Sequence, residues 1–403
     1  MDMIELEQAI ALVQQQLTLQ TRTEIVPIQS AVGRVTSTAI VAKTAVPSFA
    51  RSGMDGYAIY TEDTVTASRE KPVTLKVIGT ILPGERVDQY QPTRGTAVKI
   101  MTGAAIPAGY DAVVRQELTD GGTTTVTIQK PMTKGKNYGE IGEDLAAGQS
   151  VLPAHTLLTC DSIGVLASLG YDTVSVLAPI RVGLIATGNE LKAPGEPLSA
   201  GQIYNSSMYT IASYIRQAGG IVVFQKICND EPQALQRILE ANQDQVDLFM
   251  TTGGVSVGVK DMIPQVIDQI GGQILFHFVN IKPGTPVMAS IWQDKVILSL
   301  SGNPFASIMN FHLFYWPILA HFFDNDGFNL KHGRGKIVTG YMKSNKLRRF
   351  LRANRQGDAI SIPANGHRSS VLHTLVENNC FVSQPADEVL KPGDEVDYYE
   401  CNF

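Results

Sequence analysis

Three short segments combine glycine with hydroxyl or amide side chains in a way that could hold a phosphate. They are Thr187-Gly188-Asn189-Glu190, Thr252-Gly253-Gly254-Val255-Ser256-Val257-Gly258 and Ser301-Gly302-Asn303-Pro304. Glycine lets backbone approach a ligand closely, hydroxyls donate to its oxygens, and exposed N–H groups at a helix start favour an anion. Any one of them could equally be a tight turn between a strand and a helix. Three on one sheet edge favour a phosphorylated ligand. None is a G-x-x-x-x-G-K-[ST] or a G-x-G-x-x-G, so ordinary ATPase and dinucleotide chemistry lack their motif. Glu190, Asp230 and Asp261 fall at strand ends or helix starts. Carboxylates converging beside phosphates make a Mg2+ site, whereas an acid such as Asp261 on its own caps a helix. The segment 254–258 also matches G-x-S-x-G, but a nucleophile elbow places its Ser directly after a strand and Thr252-Gly253-Gly254 intervene. A serine hydrolase is therefore a minor alternative.

Between Asp326 and Asp358 there is no acidic residue, while Lys331, Arg334, Lys336, Lys343, Lys346, Arg348, Arg349, Arg352 and Arg355 are all basic. On a chain of net charge -5 this local excess could draw in an anionic ligand or partner, although a solvated hairpin face accounts for most of it. The scattered His show no metal-ligand spacing.

The elements that must carry these loops alternate strictly from Ile180 onward. Strands are expected at 181–186, 222–227, 246–251 and 296–300. Helix stripes follow at Met208, Ile211, Ala212 and Ile215, at Ala234 to Leu239 after Pro232, at Ile263 to Ile270, and after Pro304. Such alternation specifies a mostly parallel sheet covered on both faces by helices, with ligands beyond the carboxyl ends of the strands. Upstream, short β runs broken by Gly and Pro, as at 73–78 and 123–129, form a small β-rich domain over 44–137. It interrupts an elongated helical and β linker made of 1–43 and 138–177, whose 139–175 stretch reads as helical. The α/β domain covers 178–325, and 326–403 reads as a compact all-β C-terminal domain.

At 403 residues the chain is long enough for several such domains, and 44% hydrophobic against 18% charged residues argues for globular cores rather than disorder. An acidic balance argues against a nucleic-acid coat protein. The Cys residues are far apart with no C-x-x-C, which indicates neither a disulfide scaffold nor a zinc finger and suits a reducing compartment. Residues 1–17 lack a basic n-region and the apolar run 311–323 is too short to span a bilayer, so no signal peptide or membrane segment is expected. The chain reads as cytoplasmic.

The combined loops resemble the molybdopterin-binding fold of late molybdenum cofactor synthesis, and further segments narrow the resemblance. Ser52-Gly53-Met54-Asp55-Gly56-Tyr57-Ala58 resembles the S-A-M-D-G-Y-A signature of the molybdopterin molybdenumtransferase (MoeA) family, which includes the E domain of gephyrin. Ile100-Met101-Thr102-Gly103-Ala104 resembles its I-M-T-G-A segment. Gly142-Glu143-Asp144, Gly201-Gln202-Ile203-Tyr204, Gly253-Gly254-Val255-Ser256, Lys282-Pro283-Gly284 and Gly302-Asn303-Pro304 continue the match in order over nearly the whole chain.

The resemblance implies a homodimer of four-domain subunits with a barrel-like C-terminal domain and an active site between the sheet of one subunit and the second domain of the other. It implies insertion of molybdenum from molybdate, as substrate, into adenylylated molybdopterin, with AMP released with help from Mg2+. On that reading Asp55, Glu190, Asp230 and Asp261 are catalytic, and the last three hold Mg2+. Thr187, Gly188, Asn189, Gly253, Gly254, Val255, Ser256, Lys282, Pro283, Gly284, Ser301, Gly302, Asn303 and Pro304 bind substrate. Thr102, Gly103, Asp144, Arg352 and Ser369 reach in from the partner subunit or the C-terminal domain. An upstream molybdopterin adenylyltransferase is a possible protein partner. The family's T-G-D-E-L reads Asn189 for its Asp, its D-[ST]-N-R reads Asn205-Ser206-Ser207-Met208, and two usual lysines are Phe278 and Thr285. Losing two cations weakens oxyanion binding, so the alternative is a pterin or nucleotide carrier that does not turn over.

Overall fold

The structure, a computed structural model, describes residues 3–256 and 262–401. Helix α1 (Leu6–Gln16) carries Leu6, Ala9 and Val13 on one face, and this stripe is buried in the main core of the α/β domain. The chain then forms the linker. Strand Thr23–Pro27 pairs antiparallel with Thr173–Leu177, and Ile40–Val41 pairs with Ser150–Leu152, so the two linker segments are joined by sheet. Within 139–175, helix is confined to α2 (Cys160–Ser168), which starts where the Thr159 hydroxyl accepts from the Ser162 N–H. The rest of that stretch is strand and turn, because its apolar residues pair across strands instead of lining a helix face.

The inserted domain is a five-stranded sheet in the order Ala112–Arg115, Gly56–Ile59, Thr96–Ile100, Val73–Ile81 and Thr125–Ile128. Strand alternation sends Tyr57 and Ile59 into one core and Ala58 into another, so Gly56–Ile59 is buried on both faces.

The α/β domain has a six-stranded sheet in the order Ile221–Cys228, Arg181–Thr187, Leu248–Thr252, Lys295–Leu300, Met288–Trp292 and Gln273–His277. The first four strands run parallel, as the alternation requires. Met288–Trp292 is antiparallel and hairpins into Lys295–Leu300 through Gln293 and Asp294, both at positive φ. Helices α3 (Ser207–Gln217) and α6 (Pro304–Phe322) pack on one face, and α4 (Pro232–Asn242) and α5 (Ile263–Gln269) on the other. Strand order reverses between Arg181–Thr187 and Leu248–Thr252, where a ligand crevice is expected. Helix α6 is buried nearly all round, between the sheet, α1 and the C-terminal domain.

In that last domain His332–Thr339, Ala359–Ser361, Arg348–Gln356, Cys380–Gln384 and Glu395–Glu400 close into a five-stranded barrel around Ile337, Leu351, Ile360 and Val382. Strand Ile281–Lys282 leaves the α/β domain and pairs in parallel with Arg348–Arg349 of the barrel. Arg348 adds an ion pair to Glu7 of α1 at 2.6 Å. These contacts fix the barrel over the carboxyl ends of the parallel strands.

Candidate active site

A cleft of 1220 Å³ lies between those strand ends and the barrel. Its floor is the switch point. Gly253 and Gly254 follow strand Leu248–Thr252 with φ of +88° and +66°, and a Cβ on Gly253 would meet the Thr187 carbonyl oxygen at 2.5 Å. Only glycine lets the two strand-end loops lie this close. The Ser301-Gly302-Asn303 loop stands beside them and leads into α6, whose first turn carries Pro304.

One side chain that no loop motif marks holds these loops together. Asn310 is fully buried in α6, donates to the Gly284 carbonyl at 2.9 Å and accepts from the Ser301 N–H at 3.4 Å. An amide in a helix otherwise packed with Phe, Leu and Ile was the available signal, since buried amides are kept where their hydrogen bonds are made. The Phe305 N–H, one of the unpaired donors of the α6 first turn, reaches the Ser369 carbonyl at 2.9 Å and ties in the barrel loop 364–371.

The structure brings most of the expected residues to this cleft. Thr187, Gly188, Glu190, Asp230, Gly253, Gly254, Val255, Ser256, Lys282, Pro283, Gly284, Ser301, Gly302, Asn303, Pro304 and Ser369 all line it. Asn189 lies just behind, its side-chain oxygen accepting from the Asp230 N–H at 3.2 Å. It ties the Glu190 turn to the Asp230 turn. Asp261 and residues 257–260 lie outside the described residues.

Arg352 does not face the cleft. It is 1% exposed, stacked 3.4 Å from the Phe305 ring centroid, and donates to the carbonyls of Gly366 and Val371 and to the Thr374 hydroxyl. It braces the loop that presents Ser369. Asp55, Thr102, Gly103 and Asp144 are also absent from the cleft of their own chain. Asp55, Thr102 and Gly103 sit on the exposed rim of the inserted domain, where the Asp55 carboxylate accepts from the Thr102 N–H and hydroxyl, each at 2.7 Å, and Asp144 is exposed in the linker. Those donors hold the Asp55 pKa below its ordinary value.

The cleft has two electrostatic sides. Glu190 and Asp230 present carboxylates, and Lys282, Lys343, Arg349 and Arg368 present cations. Lys343 and Arg349 were visible in the sequence only as members of the basic run. Burial lowers the His367 pKa, with Arg352, Arg349 and Lys343 adding to the effect, so the imidazole stays neutral. His277 offers its ring nitrogen to the Val255 carbonyl at 2.7 Å, and Ser256 stands four residues past the end of its strand. This is not the geometry of a nucleophile elbow.

A sheet crevice with glycine loops, capped by a barrel and preceded by a linker with an inserted domain, defines a molybdopterin-binding protein of MoeA type. Residues 4–170 match the model of the MoeA N-terminal region (domain I and II). Residues 183–321 match the probable molybdopterin binding domain, and 334–401 the MoeA C-terminal region (domain IV). The chain is 33% identical over 373 residues to molybdopterin molybdenumtransferase of Bacillus subtilis, covering 91% of this chain and 86% of that one. It is 35% identical over 375 residues to molybdopterin molybdenumtransferase 2 of Mycobacterium tuberculosis, covering 90% and 91%. The crystal structure of the molybdopterin biosynthesis MoeA protein from Pyrococcus horikosii superposes with a TM-score of 0.89 over 100% of both chains, at 28% identity. The chain belongs to the molybdopterin molybdenumtransferase family, enzymes of molybdenum cofactor biosynthesis. Membership removes the serine-hydrolase alternative. Among the described residues no helix is long and apolar enough to cross a membrane.

Proposed function

We propose that this cleft takes adenylylated molybdopterin and molybdate, inserts molybdenum into the dithiolene and releases AMP. The observation that carries this reading is the pairing of an acidic and a basic side across glycine loops at the sheet's switch point. The N–H groups of 254–256 and of Ala306 in the α6 first turn bind phosphate oxygens, and the Thr187 and Ser256 hydroxyls donate beside them. The cations on the barrel side offset the charge that builds up as the phosphoanhydride breaks.

Glu190 and Asp230 offer only carboxylate oxygens. This donor set suits Mg2+, which takes one or two carboxylates and completes its shell with water and substrate phosphate. Bound there, Mg2+ would neutralise developing phosphate charge. Asp261 is the expected third ligand; among the described residues no group of three or more metal-ligating side chains converges.

Asp55, Thr102, Gly103 and Asp144 serve the cleft of a second copy of this chain in a homodimer. Their exposure in one copy supports this, as do the exposed apolar side chains of Met54 beside Asp55 and of Ile203 and Tyr204 at the cleft edge. An upstream adenylyltransferase would hand over the substrate, and a reducing cytoplasm suits four free thiols. Replacing Glu190 by Gln tests the acidic side: AMP release falls about 100-fold at saturating molybdate and the Mg2+ requirement rises. Unchanged release and an unchanged Mg2+ titration contradict the assignment.

A further inference from the structure

Strand Gln273–His277 lies at one edge of the six-stranded sheet, and neither its last residue nor the next one lines the cleft. Register pairs His277 with Met288, which is buried in the same core as Val255, so His277 projects to the face where the 253–256 loop is anchored. Residues adjacent on a strand alternate between faces. Phe278 departs from that alternation through a φ of +90°, a region bulky side chains rarely adopt. Its ring stacks on His277 with 4.0 Å between centroids and 17° between planes. The Phe278 backbone is held on both sides: its N–H donates to the Val287 carbonyl at 3.0 Å, and its carbonyl accepts from the Ile4 N–H at 3.3 Å.

Two consecutive carbonyls of the loop are tied down from behind. The Gly254 carbonyl accepts from the Ile263 N–H at the start of α5 at 3.2 Å, and the Val255 carbonyl accepts from His277 Nε2 at 2.7 Å. A carbonyl can only accept, so Nε2 carries the proton. In a trans peptide the C=O and the following N–H point in opposite directions. Fixing these carbonyls turns the N–H groups of Val255 and Ser256 the other way, and neither N–H has a partner among the described residues. Successive free N–H groups of this kind make a concave anion site. Both residues border the cleft, while the Val255 side chain is buried.

We propose that His277 is the positioning residue of this loop: oriented by its stack on Phe278, it holds the Val255 carbonyl back so that the Ser256 N–H meets an incoming phosphate. His277 touches no substrate and acts through one peptide unit, as the one partner of that carbonyl among the described residues. The inference rests on the reading of 254–256 as phosphate binders and adds the residue that sets their direction.

His277→Phe keeps a flat ring against Phe278 and removes the donor, whereas His277→Gln gives up the ring and keeps an amide N–H. Both variants of the full-length protein are titrated with AMP by calorimetry and followed by amide hydrogen exchange with mass spectrometry. His277→Phe weakens AMP about 10-fold, the scale of a lost hydrogen bond to a charged group, and speeds exchange in the 253–256 segment alone. His277→Gln returns AMP affinity to within about threefold of wild type. Wild-type AMP affinity in His277→Phe overturns the inference. Equal weakening in both variants also overturns it, because the shape of the ring and not its donor would then be what matters. Wild-type protein that binds no AMP overturns the phosphate reading instead, and exchange then decides the role of His277. Faster exchange in His277→Phe with recovery in His277→Gln upholds it; unchanged exchange ends it.

Discussion

Replacing Arg352 by Met separates bracing the cleft from contacting its ligand. The guanidinium donates to the Gly366 carbonyl, to the Thr374 hydroxyl at 2.6 Å and to the Val371 carbonyl at 2.6 Å, beneath the loop that carries Ser369. Burial draws its pKa down to about 10, which leaves it charged at neutral pH. Met keeps most of the aliphatic volume against Phe305 and removes every donor. A buried acceptor left without its donor costs roughly 1–3 kcal/mol, so three acceptors set a ceiling near 9 kcal/mol. The loop can hinge outward and hydrate its carbonyls, which lowers the expected loss to about 3–5 kcal/mol, in the range for breaking a buried charged contact. At roughly 1.4 kcal/mol per tenfold, the opening equilibrium of residues 364–371 rises about 100-fold or more. Amide hydrogen exchange with mass spectrometry on the full chain reads this directly. The expected result is faster exchange confined to 364–376, with weaker AMP binding as a consequence and partial recovery in Arg352→Lys. Unchanged exchange together with lost AMP or molybdate affinity would refute the bracing role and place Arg352 on the ligand.

Gly253→Ala places a Cβ 2.5 Å from the Thr187 carbonyl oxygen at a φ of +88°. It costs about 2 kcal/mol or more in denaturant unfolding and weakens AMP binding. Mixing Asp55→Asn chains with Glu190→Gln chains, each reduced about 100-fold or more alone, restores about a quarter of wild-type turnover if each site takes residues from two copies. No recovery after verified subunit exchange contradicts the shared site. Burial in α6 pulls the His312 pKa down to about 3. The unfolded chain then binds one more proton than the native one between pH 6.5 and 3, so this group's contribution to stability is present above pH 6.5 and is lost as pH falls through that window. The loss is on the order of 5 kcal/mol. His312→Gln, which cannot titrate, flattens the pH dependence of the chemical unfolding midpoint there. An unchanged slope removes His312 as its source.

The parallel sheet was legible because three of its four parallel strands run into glycine loops and α3, α4 and α5 show a 3.6-residue stripe, while Pro304 marks the start of α6. The Gln273–His277 and Met288–Trp292 strands were not: the turn from Met288–Trp292 into Lys295–Leu300 is Gln293-Asp294 rather than a glycine-containing pair. The helical texture over 139–175 misled for a related reason: its apolar residues close the linker by pairing with distant segments, and short strands carry little local signal. Most cleft residues could be named from their loops. Asn310, Arg349 and Lys343 could not, because what selects them is contact between domains. The Lys282–Arg349 register exists only once the barrel docks. Lys343 and Arg349 reach the cleft from the barrel, where no spacing rule would look for them. Arg352 shows the converse: it belongs to the same basic run, yet burial directs its donors to backbone.

The measurement that tests the transferase account most directly is AMP release from adenylylated molybdopterin by the wild-type protein, with molybdate and Mg2+ each present and absent. The account expects AMP to appear in proportion to molybdenum inserted, and only when molybdate is supplied. Tight binding of the adenylylated pterin with no AMP released under any of the four conditions would contradict it and make the cleft that of a carrier.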